Sequence, residues 1–445
     1  MRLALRVISF LVIVSFLGGQ GLAQSRSDGP LQIEINEGII QLFPIAAPQF
    51  IAESAGTTKQ AKDITDLILS NLERTGLFRI VPESSHIGKI TNFDSPVQFS
   101  DWKAINVDVL LTGAVAHGED GNLVVKIRLH DVFAESSLGQ GVLYRGTESN
   151  WRRLAHKISD VVYSRITGEG GYFDTRIAFI SEFGAKTDRT KRLTIMDYDG
   201  ANVRFLTDGT SLVLAPRFSP EGNELIYTSY RTGKPSVFRL NLRNGRETRV
   251  LDTPDMTFSP RFSPDGKNVM FSRTTRGNTD IYETNLATNE ASRITRNRAI
   301  DTAPTYSPDG KSIAFESDRS GTTQIYTMSL RGGDVSRISF GDGTYGTPVW
   351  SPRGDYIAFT KQVGNIFHVG VMLTDGSEER LLSRSFLDEG PTWAPNGRVL
   401  LFFREEPGER GGPSLYSVDI TGRNLTKLDT PNFASDPTWS PLRLR

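Results

Sequence analysis

The sequence predicts a multidomain protein, a small α/β N-terminal domain followed by a six-bladed all-β propeller closed by the C-terminal strand. Three observations carry this. Aromatic-(Ser/Ala)-Pro triplets recur at Phe218-Ser219-Pro220, Phe262-Ser263-Pro264, Tyr306-Ser307-Pro308, Trp350-Ser351-Pro352, Trp393-Ala394-Pro395 and Trp439-Ser440-Pro441, their last prolines 44, 44, 44, 43 and 46 residues apart. Four short β runs fit each interval, the size of one propeller blade. The segment ahead of the array, residues 24–167, lacks the repeat and mixes helical and strand periodicity.

At the start of the chain, Arg2 and Arg6 precede an apolar run over residues 7–17, which breaks at Gly18-Gly19 and reaches Ala23 before Gln24. Charge, apolar core and small residues in that order predict a cleavable secretory signal over residues 1–23. Eleven residues, nine of them apolar, are too few for a spanning helix, which needs about 20. No later stretch is apolar enough to span, so the expectation is an exported, soluble protein with no membrane insertion, periplasmic in a two-membrane bacterium.

Residues 24–30 form a polar arm with Gly29 and Pro30, either a loose terminus or a recognition segment that adds to a partner's sheet edge. Leu31-Gln32-Ile33-Glu34-Ile35 alternates as a strand, and residues 39–45 form a second. Ala61, Ile64, Leu67, Ile68 and Leu72 share one face of a helix over residues 58–74, ended by Gly76. A strand at 78–81, a short helix around Trp102 and two strands at 107–116 and 123–133 follow, the last two joined by the hairpin signal Glu119-Asp120-Gly121-Asn122. Leu154, Ile158, Val161 and Val162 mark a closing helix, and residues 168–171 are the linker to a propeller spanning 168–445.

Each triplet is preceded by another proline (Pro216, Pro260, Pro304, Pro348, Pro391, Pro437), and five are followed by a turn ending in glycine. Second strands fall at 225–229, 269–273, 313–317, 357–361 and 400–404, and fourth strands at positions such as 292–295 and 336–339. Residues 176–181, 193–198 and 203–207 match the second to fourth strands of a blade that lacks its first. The sixth triplet supplies it, and closing the ring removes open sheet edges. Asp265 and Asp309 belong to tight turns: proline presets φ, aspartate bonds nearby backbone, and glycine takes positive φ. Asp197-Tyr198-Asp199-Gly200 resembles half a calcium loop but lacks the remaining acids.

Composition limits the chemistry. The 51 basic and 51 acidic side chains argue against a broad grip on nucleic acid. Without cysteine there are no disulfides, thiolate metal sites or cysteine nucleophiles. His86, His117, His130, His156 and His368 show no metal-binding spacing, and no nucleophile elbow, Walker loop or dinucleotide fingerprint occurs. The expectation is no metal, no cofactor and no enzyme. Propellers of prolyl-oligopeptidase-like peptidases carry similar repeats, but only Leu442 to Arg445 follow the last triplet, leaving no hydrolase domain. The alternative kept open is a propeller hydrolase or lyase with a loop-carboxylate active site.

Arg176-Ile177-Ala178-Phe179 after a glycine-rich linker, Met196-Asp197-Tyr198-Asp199-Gly200, Phe386-Leu387-Asp388-Glu389, Ala394-Pro395-Asn396-Gly397 and Pro437-Thr438-Trp439-Ser440-Pro441, taken with the domain order, resemble the TolB family of periplasmic Tol-Pal components. The charged loop at 404–412 and the terminal Leu442 to Arg445, with two arginines, depart from the pattern. The resemblance implies a monomeric binding protein that serves outer-membrane integrity and constriction during cell division and is exploited by colicin-like toxins. It implies that the lipoprotein Pal docks on the propeller mouth, at Met256, Thr257 and Ser259, at Asp301, Thr302 and Ala303, and by analogy at Tyr345, Thr347, Asp388, Glu389 and Asp436. It further implies that TolA takes an N-terminal arm spanning residues 24–38, with Gln24, Ser25, Arg26, Leu31, Ile33 and Ile35.

Overall fold

The computed structural model of the chain describes residues 42–408 and 411–443. The signal segment, the arm and the strand expected at 31–35 lie outside the described residues.

The α/β region is built on one mixed sheet. Phe43–Ala46 lies between Phe78–Ile80 and Val109–His117, parallel to both, and Val109–His117 continues into an antiparallel hairpin with Leu123–Asp131. Helix α1 (Thr58–Arg74) makes the crossover from Phe43–Ala46 to Phe78–Ile80. Its Ala61, Ile64, Ile68 and Leu72 recur at helical spacing and are buried, while Lys59–Asp63 and Lys62–Asp66 pair four residues apart on the outer face. The short helix α2 (Phe99–Ala104) brings Trp102 into a cluster with Ala46, Val81, Val107, Leu110 and Val132. Helix α3 (Trp151–Thr167) closes the region and stops at Gly168, which is left-handed and donates its N–H to the Ser164 carbonyl.

A buried polar link fastens α1 to α3. Asn71 Nδ2 donates to Ser159 Oγ at 2.9 Å and lies 3.0 Å from His156 Nδ1. Burial pushes the His156 pKa down to about 4, so its ring is neutral at pH 7 and Nδ1 can accept.

Several boundaries differ from the expectation. The strand expected at 39–45 is Phe43–Ala46 among the described residues, and the hairpin's first strand starts at Val109. That strand does not alternate: residues 109–115 are all buried, because parallel neighbours and covering helices shield both faces of a central strand. Val142–Gly146, which pairs with residues 123–127, carried no clear apolar alternation and was not anticipated.

The propeller consists of six four-stranded antiparallel sheets. In five of them the sheet order follows the chain. The first blade is composite, running Arg204–Phe205, Thr190–Asp197, Arg176–Phe183 and then Phe433–Trp439, with Trp439 opposite Ile177. Each second strand carries one aromatic side chain with no exposure: Phe179, Tyr227, Phe271, Phe315, Phe359 and Phe402. Neighbouring blades clasp these in shared clusters, such as Leu225 and Tyr227 against Ile180 and Ile195. Outer strands are shorter than expected, Ala291–Arg293 and Ser336–Arg337 for example. A hydroxyl takes over where the ladder stops, since Thr295 accepts the Ile281 N–H at 3.0 Å and Ser339 the Ile325 N–H at 2.9 Å. The Ser-Pro-Asp-Gly turns form as expected. Asp265 Oδ1 accepts the Lys267 N–H, Asp309 Oδ1 that of Lys311, and Gly266 and Gly310 have φ of 69° and 68°.

Residues 168–174 are packed between the α/β region and the propeller. Half-buried Asp160 of α3 accepts the backbone N–H groups of Phe173 (2.7 Å) and Asp174 (3.0 Å). A Cβ on Gly171 would stand 2.3 Å from that carboxylate, so glycine is required there. Tyr163, Tyr172, Phe173, Tyr198 and Trp439 then interlock edge-to-face and stacked, with centroids 4.5 to 5.8 Å apart. Trp439, from the closing strand, also donates its indole N–H to Thr175 Oγ1 at 2.8 Å.

Because Trp439 joins ring closure to this junction, Trp439→Ala is expected to cost about 3–5 kcal/mol in urea unfolding. Lys427→Ala, on a two-residue outer strand, is expected to stay within about 0.5 kcal/mol of the parent.

Candidate functional site

The six innermost strands share one irregularity. In each, the pairing with the second strand slips by one residue, between Leu214 and Arg217, Phe258 and Arg261, Thr302 and Thr305, Gly346 and Val349, Glu389 and Thr392, and Ser435 and Thr438. The residue before the repeat proline sits at the slip with positive φ: Ala215 (51°), Ser259 (50°), Ala303 (48°), Thr347 (47°), Gly390 (65°) and Asp436 (47°). Proline has no N–H for the ladder, so the strand bulges there. Five of the six bulge residues carry a Cβ in a conformation that favours glycine, a cost the ring has to offset.

The bulges stitch blades together around the channel. The N–H of Ala215 goes to Asp436 Oδ2 (3.2 Å), that of Ala303 to Ser272 Oγ (3.2 Å), and that of Thr347 to Glu316 Oε2 (2.9 Å), each acceptor on the preceding blade. Gly346 leaves room for Glu316, whose Oε2 would be 2.8 Å from a Cβ at that position. The channel wall thereby collects three carboxylates, Glu316, Glu389 and Asp436, against the buried guanidinium of Arg217. Burial pushes Glu389 up to about 7, and the charges of Asp436 and Glu316 act in the same direction. Burial likewise lowers Arg217 to about 10, with Asp436 opposing the shift.

The ends of the channel differ. Residues 42–174 meet the end that carries the strand one to strand two turns, where Arg353 pairs with Glu169 and the Asn396 amide donates to the Gly170 carbonyl. The other end, where the innermost strands begin, bears no contact from them among the described interactions. It is ringed by exposed apolar side chains: Leu212, Met256 and Ile300, 44 residues apart, with Phe340 and Phe386 on the corresponding later loops. Phe340 is 71% exposed, far more than a core aromatic tolerates.

Position relative to the repeat proline decides where each expected site residue lies. Four residues before it the side chain faces out, as Met256 does. Three before it, Thr257, Asp301, Tyr345 and Asp388 are all buried. Thr257 Oγ1 accepts the Val237 N–H (3.0 Å), and the Tyr345 hydroxyl donates to Glu379 (2.8 Å). Asp301 receives Arg319 through both oxygens (2.8 and 2.9 Å). Asp388 is held by Arg404 (2.7 and 2.8 Å) and Ser385 (2.6 Å). Two before it, Thr302 donates to Glu316 (2.6 Å), and Glu389 lines the channel. One before it, Ser259, Ala303, Thr347 and Asp436 are bulge residues. Gln24, Ser25, Arg26, Leu31, Ile33 and Ile35 lie outside the described residues. Sequence reasoning did not single out Leu212, Ile300, Phe340, Glu316 or Arg217. The repeat register held a signal for Leu212 and Ile300, since both stand four residues before a repeat proline.

The two half-calcium-loop acids already have partners: Asp197 receives Asn202 Nδ2 at 2.6 Å, and Asp199 pairs with Arg152. Among the described residues no group of three or more His, Cys, Asp or Glu side chains is placed to hold a metal ion.

Glu389 makes the mouth pH-sensitive. Its folded pKa, about 7, lies above the ordinary 4.5, so its stabilising contribution is complete below pH 4.5 and is lost as pH rises through about 7. Glu389→Gln is therefore expected to raise stability relative to the parent at pH 8, by on the order of 1–3 kcal/mol, and to converge with it at pH 4. Urea unfolding across that range checks this, and a difference independent of pH would contradict it.

Comparison with known proteins agrees with both regions. The family model described as the TolB beta propeller domain matches residues 163–443, and that of the TolB amino-terminal domain matches residues 31–138. A Tol-Pal system protein TolB from Dinoroseobacter shibae is 56% identical over 443 residues, covering 99% of each chain. One from Cereibacter sphaeroides is 59% identical over 415 residues, covering 93% of each. The crystal structure of TolB from Acinetobacter baumannii is 27% identical, with a TM-score of 0.80 over 92% of this chain and all of that one. The chain thus belongs to the TolB family of Tol-Pal system proteins.

Proposed function

We propose that this chain is the periplasmic binding component of the Tol-Pal system, not an enzyme, engaging the outer-membrane lipoprotein Pal at the propeller mouth and inner-membrane TolA through its N-terminal arm. In this reading residues 1–23 are the export signal, residues 24–167 carry the arm and α/β domain, and residues 168–445 form the propeller. The contacts would serve outer-membrane integrity and constriction at division, and colicin-like toxins would exploit the protein. The observation that carries the reading is the crown of exposed apolar side chains, Leu212, Met256, Ile300, Phe340 and Phe386, on the end of the channel that residues 42–174 leave free. Protein interfaces concentrate their energy in such central apolar anchors.

Within the mouth, Met256 would make direct contact, and the bulge residues Ser259, Ala303, Thr347 and Asp436, with Thr302 and Glu389, would form the floor around the channel. Thr257, Asp301, Tyr345 and Asp388 would act by holding the rim loops, since their polar atoms already have internal partners. On the arm, Leu31, Ile33 and Ile35 would add a strand to TolA, with Gln24, Ser25 and Arg26 ahead of them. If Pal alters the arm's freedom, the two partners are linked, and each changes the other's affinity by the same factor.

Calorimetric titration with purified Pal tests the mouth. Ile300→Asp and Met256→Asp are expected to weaken binding at least tenfold while melting is unchanged, and Leu143→Asp, in the α/β region, to leave it intact. Equal affinity for all three variants would overturn the mouth assignment. Deleting residues 24–30 is expected to abolish TolA binding and spare Pal, and retained TolA binding would exclude the arm.

A further inference from the structure

On the opposite side from the mouth, a cleft of about 200 Å³ opens between the N-terminus of α3, the first blade and the C-terminal segment. Arg152, Arg153, Arg176, Arg204 and Arg443 line it together with Ser149. Three of these guanidiniums have carboxylate partners: Arg152 with Asp199, Arg153 with Asp174, and Arg443 with Asp197 at 3.3 Å. Two do not. Arg176 donates Nη2 to a neutral acceptor, the Gly222 carbonyl (2.7 Å), and its Nε is buried without a hydrogen-bond partner. Arg204 stands exposed on a two-residue strand and makes no ion pair with a carboxylate among the described residues. Burial and the charges of Arg443 and Arg204 together hold the Arg176 guanidinium down to about 10, the mark of a cation placed among cations.

The helix end adds to the excess. The first turn of α3 has no acidic residue but holds Arg152 and Arg153, and Asn150 makes no side-chain capping bond, so positive side chains stand at the positive end of the helix dipole. Asp197, the one carboxylate on the wall, already receives Asn202 Nδ2 and Arg443. What would balance the site is a small, multiply charged oxygen acceptor, which guanidiniums and backbone N–H groups recognise in concert.

We propose that this cleft is a binding site for a phosphate-class oxyanion, either free phosphate or the phosphoryl group of a phosphomonoester. Arg176 and Arg204 supply its unneutralised charge, and Arg152, Arg153 and the start of α3 complete the cradle. Because the cleft is walled by α3, blade 1 and the segment after the closing strand, an anion there would tie the three together.

The test uses the full mature chain. Inorganic phosphate, and in a second arm glycerol phosphate, is titrated calorimetrically, and the melting temperature is followed against sodium chloride at matched ionic strength. Saturable binding with a rise in melting temperature beyond that of chloride is expected, and the tighter of the two anions identifies the source. Arg204→Ala, which breaks no ion pair, is expected to weaken binding at least fivefold without shifting the anion-free melting temperature, and Arg176→Gln at least as much. Arg243→Ala, outside the cleft, should bind like the parent. A stabilisation that chloride reproduces, or binding unaffected by Arg204→Ala, would overturn the proposal.

Discussion

The structure depends on closing a ring of sheets with a strand that arrives last. Phe433–Trp439 pairs with Arg176–Phe183, more than 250 residues earlier in the chain. Until it does, the first blade offers a bare edge and the last interface between blades is unfilled. The strand ends in Trp439, whose ring stacks on Tyr198 and meets Tyr172, and whose N–H reaches Thr175. Closure and attachment of the α/β region therefore share one buried aromatic cluster. With no cysteine to cross-link the ends, this packing and the polar contacts around it fasten them.

Closure also explains why the innermost strands can hold an unfavourable backbone. A positive φ on a residue with a Cβ, ahead of a proline, is costly, and five of the six bulges have one. In a free hairpin such a bulge would relax. In the ring each is flanked by two blades, and at Ala215, Ala303 and Thr347 the N–H freed by the slip is taken by a side chain of the preceding blade. The same slip aims the residues before the proline, Glu389 and Asp436 among them, at the channel, where burial first and then the charges of Asp436 and of Glu316 from a second strand push the Glu389 carboxyl up toward 7. Backbone strain, blade adhesion and channel electrostatics are thus one feature repeated around the ring.

The two ends of that channel divide the work. One carries the packed stretch over residues 168–174, Asp160 and the aromatic cluster, beside which lies the arginine-lined cleft. The other keeps an apolar crown in water. A charged partner of the arginine cleft and an apolar partner of the crown would meet the molecule on opposite faces without competing for space.

Much of this was legible in the residues. The spacing of the proline triplets determined blade number, strand count and the closing role of the last triplet, because a repeat that cannot bury its face alone must stack on its neighbours. Helical spacing determined α1 and the closing helix, and turn chemistry determined the Ser-Pro-Asp-Gly hairpins. Central strands were harder, since Val109–His117 loses its alternation when both faces are covered, and the outer strands fell short where a hydroxyl replaced a ladder bond. Only the tertiary structure decided which way each mouth residue points. Thr257 and Asp301 are one position from the crown in sequence, and Tyr345 and Asp388 follow Phe340 and Phe386 on the same loops, yet all four face inward, because a strand alternates sides and the bulge resets that alternation before the channel. It alone gathered Glu316, Arg217 and Asp436 from different blades, and Arg152 of α3 with Arg176 and Arg443 from the two ends of the propeller sequence. Proximity across a closed ring is a property of the closure and has no signature in local pattern.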